Sequence, residues 1–408
     1  MSCCRFCRAP LTRTFVNLGQ QPLANSYLEL SSLCGEEPRF PLHAKVCGEC
    51  LLVQVDHDVP ADAIFNDHYA YFSSYSTSWV EHARRYAEMM MARHDLGPAS
   101  LVVEIASNDG YLLQHFVAKG VPVLGIEPAA NCAAAAEQRG VQTEVSFFNA
   151  ATARKLTEQG RRADAMAANN VLAHVPDLNE FVSGFPILLA PEGVLTIEFP
   201  HLLNLINLVQ FDTIYHEHYS YLSLIAVERI LGRHGMRVFD VERLQTHGGS
   251  LRVFVCHANA AHADSVGLVQ VRDAEAAAGL TSVEGYSGFA AKVAQVRAEV
   301  LAFLRDAKAQ GHRVAAYGAA AKGNTLLNYC GVGPALIEVV FDKSPHKQGR
   351  LLPGSHIPVR PVEEIALVKP DVLLILPWNL TNEIMAEQAQ VRGWGGVFAT
   401  AIPTLVVR

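Results

Sequence analysis

Apolar positions along this chain fall into short runs, separated by polar loops that carry glycine and by stretches with helical spacing. LVVEIASNDGYLLQHFVAKG (101–120) reads as an apolar strand, a polar loop and an amphipathic helix. VPVLGIEP (121–128) and NCAAAAEQRG (131–140) repeat that order, and ADAMAANNVLAHV (163–175) and GVLTIEFP (193–200) add a third and a fourth strand. GMRVFDVERL (235–244) and SLRVFVCH (250–257) lie close enough to form a terminal antiparallel hairpin. After long helical patterns between 260 and 310, HRVAAYGAAAKGNTLLNYCG (312–331), ALIEVVFD (335–342) and PDVLLILPWN (370–379) start a second strand–loop–helix series. Strands alternating with helices predict an α/β fold with mostly parallel sheets, whose ligands sit at the carboxyl ends of the strands.

The first fifty residues break this pattern. They hold Cys3, Cys4, Cys7, Cys34, Cys47 and Cys50, out of nine cysteines in all. Cys4-x-x-Cys7 and Cys47-x-x-Cys50 each present two thiolates on a tight turn, and the glycine of CGEC suits such a turn. Four thiolates complete a tetrahedral zinc set without an open position, so the metal is expected to be structural. Cys3 could replace Cys4 in that set. Cys132, Cys256 and Cys330 stand alone in apolar contexts and read as buried thiols.

The totals narrow the class. A chain of 408 residues is too long for one ordinary core. It has no apolar run of the roughly 18 residues a membrane helix needs. MSCCRFCRAP lacks the apolar centre of a secretory signal, so a cytoplasmic protein is expected. A formal net charge of −7 without a basic tract argues against nucleic acid as partner.

DHYAYFSSYSTSWVEHARRYAEMMMARHDLG (67–97) divides into two halves. The second has helical spacing and is expected to end at its glycine. In the first, Tyr69, Tyr71 and Tyr75 alternate with Ser73, Ser74 and Ser76. Such residues are costly both to expose and to bury unpaired. A loop closing over a polar ligand satisfies both constraints, and so does a packed inter-domain loop.

EIASNDG (104–110) stands where a dinucleotide fold would carry GxGxxG, and it does not match. Glu104 at the strand end, the loop residues Ser107, Asn108, Asp109 and Gly110, and Glu127 closing the next strand instead resemble the pattern that binds S-adenosylmethionine. Glu127 is placed to accept from ribose hydroxyls. Phe147 and Phe148 are candidates for the adenine, and Asn169 and Asn170 for the methyl end.

FDTIYHEHYSYLS (211–223) follows the fourth strand and allows a metal, acid/base or plain polar-loop reading. His216 and His218 lack a clear third ligand nearby. One histidine suffices as a base near neutral pH, with Glu217 to orient it and Tyr215 to donate to a developing oxyanion. That chemistry suits methylation at carbon, where a proton next to a carbonyl must leave first.

Taken with IEFPHL before it, THGGSLRVF after it, EIASNDG and the two CxxC pairs, this stretch resembles the SAM-dependent sugar C-methyltransferase family, which acts at C-3 of nucleotide-linked 4-keto-deoxysugars. The resemblance covers essentially the whole chain. It implies a zinc module (1–68), a class I SAM methyltransferase domain of Rossmann-like fold (69–258) and a second Rossmann-like α/β domain (259–408) that holds the nucleotide. It implies catalysis by Tyr215, Glu217 and His218, with His218 leading as the base and Tyr215 as its alternative. Tyr69, His174 and His201 would border the sugar. Gly318, Lys322, Gly323, Asn324, Asp342 and Lys343 would hold the nucleotide, with dTDP favoured over GDP, and Lys347 or Arg350 could add charge. A monomer is implied. A methyltransferase acting on oxygen, nitrogen or a non-sugar ketone, and a silent nucleotide-sugar binder, remain as rivals.

Overall fold

The computed structural model describes residues 2–29, 37–56 and 72–408. Tyr69, Tyr71 and Cys34 lie outside them. Three sheets organise the described residues.

The first is antiparallel and belongs to the N-terminal module. β1 (Arg13–Gln21), β2 (Phe40–Val46) and β3 (Val53–Val55) pair in sequence. Its fourth strand arrives from far along the chain: β9 (Ser220–Tyr221) pairs with β3, Val53 opposite Tyr221. The segment YHEH therefore runs directly into the module's own sheet.

The second sheet has the order β10-β11-β8-β7-β4-β5-β6. β4 (Val102–Ile105), β5 (Val123–Ile126), β6 (Thr143–Glu144), β7 (Ala163–Asn169) and β8 (Leu189–Pro200) are parallel, and the apolar runs of β4, β5, β7 and the second half of β8 follow from cover on both faces. β10 (Met236–Leu244) and β11 (Ser250–His257) form the antiparallel hairpin expected from the sequence, joined to β8 through β11. The chain reverses its direction of growth between β4 and β7, so a crevice opens at Ile105 and Asn169, the carboxyl ends of those strands. The third sheet repeats the device. β12 (Val314–Tyr317), β13 (Val340–Asp342), β14 (Val359–Pro361), β15 (Val372–Ile375) and β16 (Val397–Thr400) are parallel, with β17 (Val406–Val407) antiparallel at the edge. Its reversal lies between β12 and β15, where the helix Ala321–Cys330 starts.

The helix Thr77–His94 opens on Ser76, whose hydroxyl accepts from the Trp79 amide at 3.3 Å, and it buries Ala83, Tyr86, Ala87 and Met90. It stops at Asp95, with φ 50°, rather than at Gly97. Asp tolerates the left-handed conformation because its short polar side chain bonds locally.

Packing binds the units together. Phe15 of β1 stacks on Phe289 at 4.5 Å, at the head of the helix Phe289–Ala309. One core runs from Phe15, Leu42 and Ala44 in the module through Val293, Val300 and Leu304 to Val314, Val340 and Leu374 in the third sheet. A second core joins Cys4, Phe6 and Leu52 to Leu195, Leu224 and Ile230 of the middle unit. The module is a wedge shared by two α/β units. Each fully buried Phe or Leu at these joints contributes about 2 kcal/mol.

Candidate functional site

The four expected cysteines converge, with their sulfurs all within 4.8 Å of one another. The two knuckles have one shape. Arg8 N–H donates to the Cys4 carbonyl and Leu51 N–H to the Cys47 carbonyl, each at 3.1 Å. The left-handed positions are Arg8 (φ 66°) and Leu51 (φ 65°), just after each second cysteine, so the turn does not need the glycine of CGEC there. Gln54 Nε2 donates to Cys4 Sγ at 3.2 Å, and the neighbouring thiols and Gln54 hold the Cys4 thiol far below its usual range. Cys3 is exposed and outside the set. Four inward sulfurs without a disulfide fit a tetrahedral zinc.

At the crevice between β4 and β7, three left-handed residues, Ala106, Asn108 and Gly110, coil the loop after Glu104. A Cβ on Gly110 would press on Ala136 and Val141, and one on Gly125 would strike Ser107. Glu104 is 1% exposed, and burial first, then Glu127 and Asp109, push its carboxyl well up. Its Oε2, the Ser107 hydroxyl and both side-chain heteroatoms of Asn170 are buried without a protein partner. This polar lining fits a cationic, hydroxyl-rich cofactor. Glu127 spends one oxygen on Asn108 N–H (2.9 Å) and the other on Ala129 N–H (2.8 Å), which shapes the loop.

Three of the expected cofactor contacts, Asp109, Asn108 and Phe148, have protein partners. Asp109 accepts from the Ser74 hydroxyl and amide, Asn108 Oδ1 accepts from Ser73 N–H at 2.9 Å, and Arg139 lies 3.5 Å from Asp109. The loop is thereby tied to the start of the Thr77–His94 helix. Phe148 packs between Phe181 and Phe185, at 5.5 and 5.4 Å, in the core; Phe147, 56% exposed, stays at the rim.

In the YHEH segment, His218 Nδ1 meets the Thr213 carbonyl at 2.8 Å, and its Nε2 meets the Tyr215 hydroxyl at 2.9 Å. The carbonyl can only accept, so Nδ1 carries the proton and Nε2 is the basic nitrogen, accepting from Tyr215. Burial, then His174, hold the His218 pKa well below its ordinary value, so the ring is neutral. His174 stands edge-on to it at 4.6 Å. His216 points elsewhere: it is buried against Phe40 at 5.9 Å. The two imidazoles do not converge, and among the described residues the cysteine set is the one group of three or more side chains fit for a metal. Glu217 receives Asn25 Nδ2 at 2.6 Å, and burial raises its pKa.

His201 is 5% exposed, with Nε2 on Glu275 at 2.7 Å; Glu275 also caps the helix Leu224–Arg233 through Leu224 and Ile225 amides. The expected sugar contact instead anchors a helix start. Asn324, 1% exposed, donates to the Ala24 carbonyl at 2.6 Å, and Lys343 pairs with Glu387 at 2.7 Å on the surface. These three side chains were read as ligand contacts because nothing local names their distant partners.

Around the second crevice, Gly318 (φ 91°) leaves room for Pro377, and Gly323 for Leu376. Asp342 accepts from Ala319 and Ser344 amides at 2.7 and 2.8 Å. Lys322 Nζ reaches Asn379 Oδ1 at 2.8 Å and lies 4.9 Å over Trp378. Trp378 Nε1 donates to the fully buried Asp212 at 2.7 Å. Sequence reasoning missed Asp212, Trp378, Asn25 and His247. THGGS held a signal for the last: His247 has φ 53°, a Cβ on Gly248 would collide with Trp378, and one on Gly249 with Asn204. The strained turn sets the exposed His247 ring 5.5 Å from Trp79. His174, just past β7, stands 4.6 Å from the His218 ring, while Thr325 of the helix Ala321–Cys330 and Trp378 bond Ile214 and Asp212 of the same segment, so the segment lies between the two crevices.

Comparison with known proteins follows this division. Residues 4–65 match a family model described as "Putative zinc binding domain", residues 65–241 one described as "Methyltransferase domain", and residues 245–403 one described as "C-methyltransferase C-terminal domain". C-methyltransferase NovU of Streptomyces niveus is 36% identical over 400 residues, 98% of this chain and 95% of that protein. A ubiquinone biosynthesis O-methyltransferase of Bartonella bacilliformis is 29% identical over 97 residues, 24% of this chain and 39% of that protein. Among solved structures, magnesium protoporphyrin IX methyltransferase from Synechocystis PCC 6803 with bound SAH matches at a TM-score of 0.35 and 17% identity, covering 44% of this chain and 83% of that one. On the full-length match and the three regions in their order, this chain belongs to the C-methyltransferase family.

Proposed function

We propose that the protein methylates C-3 of a nucleotide-linked 4-keto-deoxysugar, with dTDP as the nucleotide and S-adenosylmethionine as the methyl donor. The observation that carries this reading is the neutral His218 ring, its basic Nε2 beside Tyr215, on a segment held between His174 of the middle unit and Thr325 and Trp378 of the C-terminal unit. Glu104, Ser107 and Asn170 would hold the donor, which supplies an electrophilic methyl on a sulfonium.

A C–H carbon becomes nucleophilic only after a base removes a proton next to a carbonyl. His218 Nε2 takes the C-3 proton, and the Nδ1–H bond to Thr213 favours the imidazolium that forms. For this Tyr215 gives up its bond to Nε2 and turns the same hydroxyl proton to the C-4 oxygen, to which it donates as charge develops there. Such a base contributes roughly 10²–10⁴-fold, and an oxyanion donor about 10²–10³-fold. The glycine-lined start of the helix Ala321–Cys330, with Lys322, suits a diphosphate.

The test is C-3 hydrogen exchange in deuterated water, without the methyl donor, on a dTDP-linked 4-keto-6-deoxysugar. Wild type should exchange, and His218→Asn should bind the sugar nucleotide but exchange at least 100-fold more slowly. Absence of exchange in wild type, with methyl transfer to an oxygen or nitrogen instead, would overturn the proposal.

A further inference from the structure

We infer that the zinc-binding module takes part in the reaction through Asn25, a positioning residue that orients the carboxylate of Glu217, which stands between Tyr215 and His218 in the sequence. This rests on the reading of Tyr215, Glu217 and His218 as acid/base machinery.

Asn25 lies in QPLANSYL (21–28), the loop that leaves β1. That loop is pinned on both sides by the C-terminal unit. Asn324 Nδ2 donates to the Ala24 carbonyl at 2.6 Å, the Tyr27 hydroxyl donates to the Ala319 carbonyl, and Leu28 and Leu351 exchange backbone bonds of 3.0 and 2.8 Å. Lys347 sits 5.5 Å over the Tyr27 ring and bonds the same Ala319 carbonyl at 2.8 Å. The loop is thus fixed before Asn25 makes any contact of its own. What it does contact is Glu217 Oε1, at 2.6 Å, 192 positions along the chain.

The economy of this contact points away from a folding role. Asn25 is exposed, and a hydrogen bond at an open wall contributes little to stability because water competes for both partners. Glu217, by contrast, sits where burial works against its charge. An amide N–H donor favours the ionised carboxylate and fixes its direction without cancelling its charge, which a lysine in the same place would do. Asn25 and Tyr27 of the module, the latter's hydroxyl also feeling Asp342, act on the Glu217 carboxylate, while His174 bonds the Glu217 backbone. Among them Asn25 is the side chain that lowers the Glu217 pKa.

The test uses the full-length, zinc-loaded enzyme and the variants Asn25→Ala, Asn25→Asp, Glu217→Gln and Asn25→Ala with Glu217→Gln. Zinc content and melting temperature first establish that the exposed substitutions leave the fold intact. The acid limb of the kcat profile should move up by about one pH unit in Asn25→Ala and further in Asn25→Asp, where a second carboxylate opposes the first. At neutral pH kcat should fall roughly tenfold with the KM for the methyl donor unchanged. In the double variant, Asn25→Ala should add nothing to the loss from Glu217→Gln. Wild-type profiles in both Asn25 variants, beside an impaired Glu217→Gln, would overturn the inference while leaving the role of Glu217 standing. A Glu217→Gln protein of wild-type rate and profile would overturn the reading beneath it, and the inference with it.

Discussion

At the scale of the residue, the site is built from side chains held in unfavourable states. Asp212 is fully buried, and burial pushes its carboxyl up to about 6 although Lys322 and Trp378 pull the other way. The folded protein therefore takes up this proton at a higher pH than the unfolded chain, and the ionised form costs stability above pH 6. Asp212→Asn keeps an acceptor for the Trp378 indole and removes the charge. It should be more stable than wild type by about 2–3 kcal/mol at pH 7.5, with the gap closing as the pH falls towards 4. Urea unfolding at the two pH values measures this, and a gap that does not change with pH would show that Asp212 carries no such cost. His174 is perturbed in the opposite sense, held near 4 by burial, so it stays neutral where it faces His218. Gly248 and Gly249 show the same economy in the backbone: a methyl group at either would displace Trp378 or Asn204, the walls of the cleft.

At the scale of the element, the decisive feature is a strand two residues long. β9 pairs with β3 of the module, and Val55 N–H donates to the Tyr219 carbonyl at 3.0 Å, so the stretch after His218 hangs on a sheet anchored by the cysteine knuckles. Cys47→Ser should lower the zinc content and speed amide exchange across 215–222 while β4, β5 and β7 keep their protection. Exchange mass spectrometry checks this; unchanged protection at 215–222 would mean that the knuckles and the YHEH segment are independent. Elements of this size also mark where sequence reading ends. The apolar runs of β4, β7, β8 and β15 and the two CxxC turns were legible because their pattern is local, and the β10–β11 hairpin because its strands are adjacent. β9 carries no strand signature; it is a strand because β3 offers it an edge. The same limit explains His201, Asn324 and Asn25: a polar side chain's task is set by its partner, here Glu275, Ala24 and Glu217, none of which is near it in the chain.

At the scale of the whole molecule, three units do not mean three independent bodies. Leu268 and Val271, on the helix Val266–Ala277, belong to the core of the middle unit, while Val293 and Val300 of the next helix belong to the core shared with the module. The chain passes from one core to the other between those helices. Residues 1–258 expressed alone should expose the faces around Phe15 and Leu42, bind a hydrophobic dye and aggregate, whereas the full chain stays monodisperse at the same concentration. Light scattering decides between this and a self-sufficient N-terminal pair of units.

The stack of Phe15 on Phe289 has a consequence for how such enzymes diversify. The two ends of the chain share one core, although the methyltransferase unit, packed on the same module through a second core, lies between them in sequence. A lineage that exchanges its C-terminal region inherits a surface moulded to another module. Viable recombination thus needs two breakpoints that move head and tail together, and a single crossover in the middle yields a protein whose halves have never met.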